Sequence, residues 1–258
     1  SLEYRNRARQ RPDWVAKADT YATFRRPLGR TSDENLKAIP RKQRAEVRKS
    51  LDLGLSVLID RDADRHFRVY AESVRNLGTP VFPRKLFHAL LDTYGEDANV
   101  LTVMHEGAPV ASVLSLYFRD EVLPYYGGGV AAARPLRAND HMYWMLMEHA
   151  RERGLTLFDF GRSKLGTGAF AFKKNWGFEP EPLHYEFRLA DGEAMPDINP
   201  LNPKYQLMVK VWEKLPLPVA NTLGPFIARG LAQKMTNEIA YVLQPLTQRR
   251  QPQRHDIE

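Results

Sequence analysis

The strongest restriction on the fold is a change of period near residue 98. Before it, apolar side chains fall at helical spacing. Phe67, Tyr70, Ala71 and Val74 stripe a helix that starts at Asp62 or Asp64 and runs to about Asn76. A second helix spans Pro83 to Tyr94 and is stopped by Gly95. After it, Val100–Met104, the turn Glu106-Gly107, Pro109–Phe118, the turn Asp120-Glu121 and Val122–Tyr126 predict a three-stranded antiparallel meander. Gly127, Gly128 and Gly129 are expected to end it.

The flanks extend the pattern. Ser32 or Asp33 can cap a helix through Leu36, and a longer helix follows from Pro40 to Leu53, closed by Gly54. Leu55–Ile59 has strand character. Beyond the meander, Asn139 is expected to cap a helix carrying Met142, Met145, Leu146 and Ala150, stopped by Gly154. Leu155–Phe160 then predicts a strand, Gly168–Trp176 a short helix and Leu183–Leu189 a last strand. Residues 6–31 look polar and irregular, with Trp14, Tyr21 and Phe24 as anchors. Tyr205–Lys214 and Val219–Ala232 read as helices, and the tail from Gln248 as disordered.

The order is strand, two helices, three antiparallel strands, helix, strand, helix, strand. That is the order of the GNAT acyltransferase fold. The expected class is therefore α+β (α/β mixed sheet), GNAT-like, with a C-terminal helical extension. In this fold the cleft opens where two neighbouring strands part.

Charge is unevenly placed. Residues 1–50 hold 14 basic against 6 acidic side chains, a net of +8, while the remainder nets −1. A local excess of this kind attracts phosphates, nucleic acid or an anionic surface. Lys37, Arg41, Arg44 and Arg48 share one helical face. Cysteine is absent, which removes disulfides, thiolate nucleophiles and Cys-zinc sites. The histidines show no metal-ligand spacing. No run approaches the roughly 18 apolar residues that span a bilayer.

Four segments carry a family resemblance: Ile39-Pro-Arg-Lys-Gln-Arg-Ala-Glu-Val-Arg-Lys, Tyr125-Tyr-Gly-Gly-Gly, Phe158-Asp-Phe-Gly-Arg-Ser-Lys and Phe172-Lys-Lys-Asn-Trp-Gly-Phe. Together they resemble the FemAB family, most nearly its members associated with PEP-CTERM/exosortase and exopolysaccharide systems. Fem ligases carry two GNAT-like domains and transfer an amino acid from aminoacyl-tRNA to an amine of a peptidoglycan precursor. The resemblance implies a division at 1–31 (terminal strand and linker of an upstream GNAT-like domain), 32–190 (GNAT-like domain), 191–247 (linker and helical extension) and 248–258 (tail). The alternation in Ser1-Leu2-Glu3-Tyr4-Arg5 fits a chain that opens mid-fold. The long helical hairpin of some Fem enzymes has no counterpart, which weakens tRNA as donor.

Acyl transfer to an amine needs a positioned amine, an exit for its proton and a stabilised oxyanion. No nucleophilic side chain is required. Asp159, at the end of a strand, can orient an amine or take a proton, or simply bind loop amides. Arg162 and Lys164 flank glycine turns made by Gly161, Gly166 and Gly168 and suit phosphate or carboxylate groups. By resemblance Lys173 occupies the Phe-Lys position that Fem-type ligases use, where a cation would stabilise the oxyanion. Tyr125 and Tyr126 alternate, so one at most should line the cleft. GNAT proteins that use acyl-CoA hold its pyrophosphate on a glycine-containing loop before the helix predicted at 139–153. Here that loop reads Arg134-Pro-Leu-Arg137-Ala-Asn-Asp140: bulky, short of one amide donor at Pro135 and acidic at the helix start. Arg134 and Arg137 retain some capacity for anions.

The expected function is acyl or aminoacyl transfer to an amine of a cell-envelope or exopolysaccharide precursor. The donor is aminoacyl-tRNA or acyl-CoA, with no tightly bound cofactor and no metal. The expected partners are an anionic or nucleotide-linked precursor, a tRNA donor and the upstream domain in cis. Sequence-specific nucleic-acid binding is not expected. The expected location is cytoplasmic, with at most peripheral contact at the inner membrane. The alternatives are an acyl-CoA-dependent N-acetyltransferase and an inert module that binds an anionic polymer.

Overall fold

The computed structural model describes residues 2–190 and 203–229. Of the expected linker and helical extension, residues 191–202 and 230–247 lie outside them, as does the tail from 248. In chain order the elements are β1 (Leu2–Asn6), β2 (Val15–Lys17), β3 (Tyr21–Pro27), α1 (Ser32–Ala38), α2 (Arg41–Leu51) and β4 (Ser56–Asp60). Next come α3 (Ala63–Asn76), α4 (Arg84–Tyr94), β5 (Ala98–His105), β6 (Ala108–Phe118), β7 (Glu121–Gly129) and α5 (Ala138–Glu152). The described chain continues with β8 (Leu157–Asp159), β9 (Ser163–Lys164), α6 (Gly168–Asn175), β10 (Pro180–Pro182), β11 (His184–Arg188) and α7 (Pro203–Glu213). Residues 217–229 are also helical.

Local signals account for most boundaries. Thr31 and Glu34 form a reciprocal capping box at α1. Asp62 caps α3 by accepting from the Arg65 amide at 2.8 Å, and Thr167 caps α6. Glu106 and Gly107 both have positive φ, the geometry of a tight hairpin turn. The second turn sits at Arg119-Asp120, one residue earlier than expected, and Glu121 becomes a strand residue.

The main sheet has the order β10-β3-β8-β7-β6-β5-β4, with β9 also on β3. A smaller sheet has the order β1-β11-β2. Residues 21–27, expected to be irregular, form β3 and pair antiparallel with β8 from Arg25↔Asp159 to Pro27↔Leu157. The Arg-Arg-Pro ending hides the second half of the strand from a hydrophobicity pattern. Its two arginines point to opposite faces. Arg26 lies 4.3 Å over the Phe178 ring and donates to the carbonyls of Ala38 and Trp176 at 3.2 and 2.9 Å. Burial pushes its pKa down to about 10. Arg25 faces the other way.

Two clusters sandwich the sheet. On one face Phe24, Phe158, Phe160, Trp176 and Phe178 pack with Met142, Leu146 and Met147 of α5. On the other, Tyr70 and Val74 of α3 and Phe87 and Leu91 of α4 cover Val100, Leu114 and Leu116.

The glycine triplet does not end the meander; β7 runs through it. Glycine is needed there because helices come close. A Cβ on Gly128 would stand 2.6 Å from Ser73 Cβ of α3 and nearer still to its hydroxyl. Gly128→Ala is expected to destabilise the fold by about 1–3 kcal/mol through overpacking. Ser73→Gly in the same chain should restore part of the loss in a denaturant melt. An alanine variant as stable as the wild type would refute this close contact.

Candidate active site

β7 and β8 are parallel neighbours that pair only at Glu121↔Leu157 and Val122↔Phe158. Beyond Val122, β7 follows β6 alone, up to Gly129. The sheet therefore splays just past Phe158, and Asp159 stands where the strands part.

Asp159 is well satisfied. Its Oδ1 accepts from the Gly161 amide at 2.7 Å and more weakly from Thr23 at 3.4 Å. Its Oδ2 accepts from Arg25 Nε at 2.9 Å. Gly161 makes the turn possible with φ 68°. The same Arg25 guanidinium pairs with Glu121 of β7. One cation thus ties three strands together through two carboxylates. Burial raises the Asp159 pKa above the ordinary range, even though the Gly161 amide and Arg25 both oppose the shift. The pKa of Arg25 is raised; burial, its largest single influence, works the other way and is outweighed by Asp159 and Glu121 together.

These groups line a cleft of about 490 Å³. Its floor is Thr23, Arg25, Leu157 and Asp159; Leu116, Phe118, Leu123 and Tyr125 form an apolar wall; Arg5, Arg7 and Arg119 bring positive charge. Strand alternation explains the floor, because Thr23 and Arg25, and Leu157 and Asp159, are two residues apart on paired strands.

Lys173 approaches the same turn from the opposite sheet face. Its ammonium donates to the carbonyls of Gly161 and Arg162 at 3.0 and 3.1 Å. It stands 5.5 and 5.9 Å from the ring centroids of Phe24 and Phe160. Burial lowers its pKa to about 8; Asp159 pulls the other way and Arg162 adds to the lowering. Arg162 reaches the Tyr185 hydroxyl at 2.5 Å and lies 4.8 Å over the Tyr21 ring. Burial raises the Tyr185 pKa to about 12. Asp159, Arg162 and Lys173 are thus gathered around a single turn, residues 159–162. Lys164 lies in β9, opposite Tyr21.

The tyrosine pair departs from simple alternation. The β6–β7 register shifts between Leu114↔Tyr126 and Ser115↔Pro124, so Tyr125 is an extra residue in β7. This bulge puts both rings on the α3–α4 side, 4.9 Å apart. Tyr125 lines the cleft. Tyr126 packs against Tyr70, Phe82 and Phe87.

Residues 39–174, just over half of the chain, match the family model of the acetyltransferase (GNAT) domain. The chain belongs to the GNAT acetyltransferase family. A stretch of 79 residues is 32% identical to Lipid II:glycine glycyltransferase of Staphylococcus aureus and covers 28% of this chain and 19% of that protein. This GNAT chain therefore spans less than a fifth of that relative's length in the match. The crystal structure of FemX matches with a TM-score of 0.60 and 19% identity, over 77% of this chain and 65% of that one. At 19% identity the FemX likeness is one of fold.

In this GNAT domain the start of α5 is built unusually. Asn139 is not the cap. Arg137 takes that position in the left-handed region, with φ 51° and no side-chain cap bond, and pairs with Glu46 of α2. Asp140, in the first turn of α5, accepts from Gln43 at 2.6 Å. Arg44 turns back to the carbonyls of Ile39 and Lys37 at 3.1 and 3.3 Å, and so fastens the end of α1. Arg134 is exposed. The candidate anion-binding residues are thus dispersed: Arg44 turns to the end of α1, Arg137 pairs at the α2–α5 contact, Arg134 is exposed, Arg162 stands at the turn after β8 and Lys164 in β9.

Burial raises the Asp140 pKa from 3.8 to about 6, against the opposing hydrogen bond from Gln43. The folded state then holds a proton between about pH 4 and pH 6 that the unfolded state has released, so this group's contribution to stability falls as pH rises through that window. Asp140→Asn is expected to remove the slope and to stabilise the protein at pH 7 by about 1–3 kcal/mol. Melting curves from pH 4 to 8 test this; an unchanged slope in the variant rejects it.

The reading from sequence did not single out Arg25, Glu121 or Thr23. The one available signal was the alternation in Tyr21-Ala-Thr-Phe-Arg, which marks β3 and its faces.

Proposed function

We propose that this chain transfers an acyl or aminoacyl group to an amine of a cell-envelope or exopolysaccharide precursor, without a covalent enzyme intermediate. The observation that carries the reading is the turn 159–162 at the splay of β7 and β8. A carboxylate faces the cleft on one side of it, and a buried ammonium with a pKa near 8 stands on the other.

The acceptor amine enters by the cleft and is oriented by Asp159 and Glu121 around Arg25. Its nitrogen attacks the acyl carbonyl carbon, and the C=O electron pair moves onto oxygen. Two donors of Lys173 are taken by the turn carbonyls. The acyl donor, on this reading, approaches from the Lys173 face of the splay, opposite the acceptor, where the third N–H can donate to the developing oxyanion. Collapse expels the tRNA hydroxyl or the thiol of CoA, which takes up a proton as the amine loses one. Asp159, on the floor of the cleft and held above its ordinary pKa, takes that proton on this reading.

Arg137 is paired with Glu46, and Asp140 puts a carboxyl group at the start of α5, where a pyrophosphate would gather amides. This favours an aminoacyl-tRNA donor over acyl-CoA. Thermal-shift titration with acetyl-CoA, free CoA, UDP-linked sugars and charged tRNA is the first test. Stabilisation by UDP-linked sugars or charged tRNA is the expected result. Stabilisation by CoA species alone would replace this reading with that of an acyl-CoA N-acetyltransferase. Anion binding that survives Lys173→Ala and Asp159→Asn, with no transfer in any pairing, would point to an inert module.

A further inference from the structure

We infer that α7 and the helix at 217–229 form a face that lies on an anionic lipid bilayer. Among the described residues, the two segments meet the body along one side. Trp212, Ala220 and Ala228 are buried. Val209 leaves no room for a Cβ on Gly78, and Gly224 meets Val81. Arg75 of α3 donates to the Glu213 carbonyl at 3.1 Å.

Large apolar side chains remain in solvent on the outer side. Leu207, Met208 and Val211 are 65%, 55% and 56% exposed, and Phe226 is 71% exposed. At about 100° per residue, the three on α7 fall within one third of the helix circumference. Lys210 and Lys214 follow beside that arc. On the second helix, Val219, Leu223 and Phe226 recur at i, i+4 and i+7 and are also exposed. An apolar patch of this kind calls for an occupant. Charge selects it: between 203 and 229, Lys204, Lys210, Lys214 and Arg229 stand against Glu213 alone. Apolar side chains edged by lysine suit the headgroup region of an anionic membrane. Among the described residues no helix is long and apolar enough to cross one, so the contact is interfacial.

The position suits access to the site. The same end of α3 contacts β7 at Gly128 through Ser73, and Glu72 accepts from the Ala131 amide at 3.2 Å. The proposed lipid face is therefore anchored at the end of α3 that meets the splayed half of β7.

The test is flotation of the whole chain with vesicles of equal parts phosphatidylglycerol and phosphatidylcholine, or of phosphatidylcholine alone. Binding to the anionic vesicles is expected, with much less to the neutral ones. Leu207→Glu with Phe226→Glu should weaken it about tenfold or more at an unchanged melting temperature. Lys210→Glu with Lys214→Glu should weaken it as well and flatten its salt dependence. No flotation with anionic vesicles overturns the inference, and so does flotation that both double variants leave intact. A wild type that is dimeric by light scattering, and monomeric once Leu207 and Phe226 are changed, would overturn it in favour of a second copy. None of these readouts depends on transfer activity.

Discussion

Lys173→Ala is expected to lower the rate of acyl transfer by about 10²–10³-fold, the usual cost of removing one donor to an oxyanion. The expected loss falls on kcat, because the oxyanion exists only in the transition state. A cation buried behind the turn works while it is protonated, and its pKa is lowered to about 8. Activity should therefore fall as pH rises through about 8. Lys173→Arg keeps the charge and moves its titration far above this range. That variant should retain partial activity and lose the limb near pH 8. If it is as inactive as the alanine variant while the wild-type rate rises through pH 8, Lys173 accepts a proton instead. The alanine change also removes two hydrogen bonds to the carbonyls of Gly161 and Arg162. A melting curve beside each assay separates a loosened turn from lost chemistry.

The largest expected loss of stability follows from Arg25→Met. The Arg25, Glu121 and Asp159 side chains are only 17%, 19% and 14% exposed. Removing the guanidinium leaves two carboxylates in a poorly hydrated place without the cation that pairs with both. Breaking a buried ion pair on one side costs about 3–5 kcal/mol. Slight exposure and the remaining Gly161 amide bond to Asp159 bring the expectation to about 2–4 kcal/mol, or a drop in Tm of about 5–15 °C. The loss should be greatest at neutral pH and shrink in acid, where both carboxyl groups take up protons. Arg25→Met with Glu121→Gln and Asp159→Asn should recover most of it, because neutral amides tolerate the site better. A triple variant no more stable than Arg25→Met would mean that packing of the arginine stem, not charge, holds these strands together.

Local structure was largely legible in the sequence because its causes are local. The Asp62 cap, the stop at Gly95 and the Glu106-Gly107 turn each act within a few residues. The cap of α1 is Thr31, one residue before the expected Ser32, because Thr31 and Glu34 bond each other's backbone amides. Hydrophobic period then separated helices from strands, and their order led to the fold. Asp159 could be singled out because its place at a strand end follows from the same signals; Lys173 was singled out by the family resemblance.

What depended on the tertiary structure was which distant strands meet. β3 ends in Arg-Arg-Pro and looks irregular in isolation; it is a strand because β8 and β10 offer it backbone partners 130 or more residues away in the chain. Arg25 becomes a clamp only when that pairing sets it between Asp159 and Glu121. The one-residue shift at the Arg119-Asp120 turn and the bulge at Tyr125 each change which side chains face the cleft, because side-chain direction reverses with every residue of a strand. The sequence alone therefore determined the helices, the meander, their order and the acid at the end of a strand. Register and long-range pairing decided the rest of the cleft, since backbone hydrogen bonds between strands carry no mark in either strand of the partner each will find.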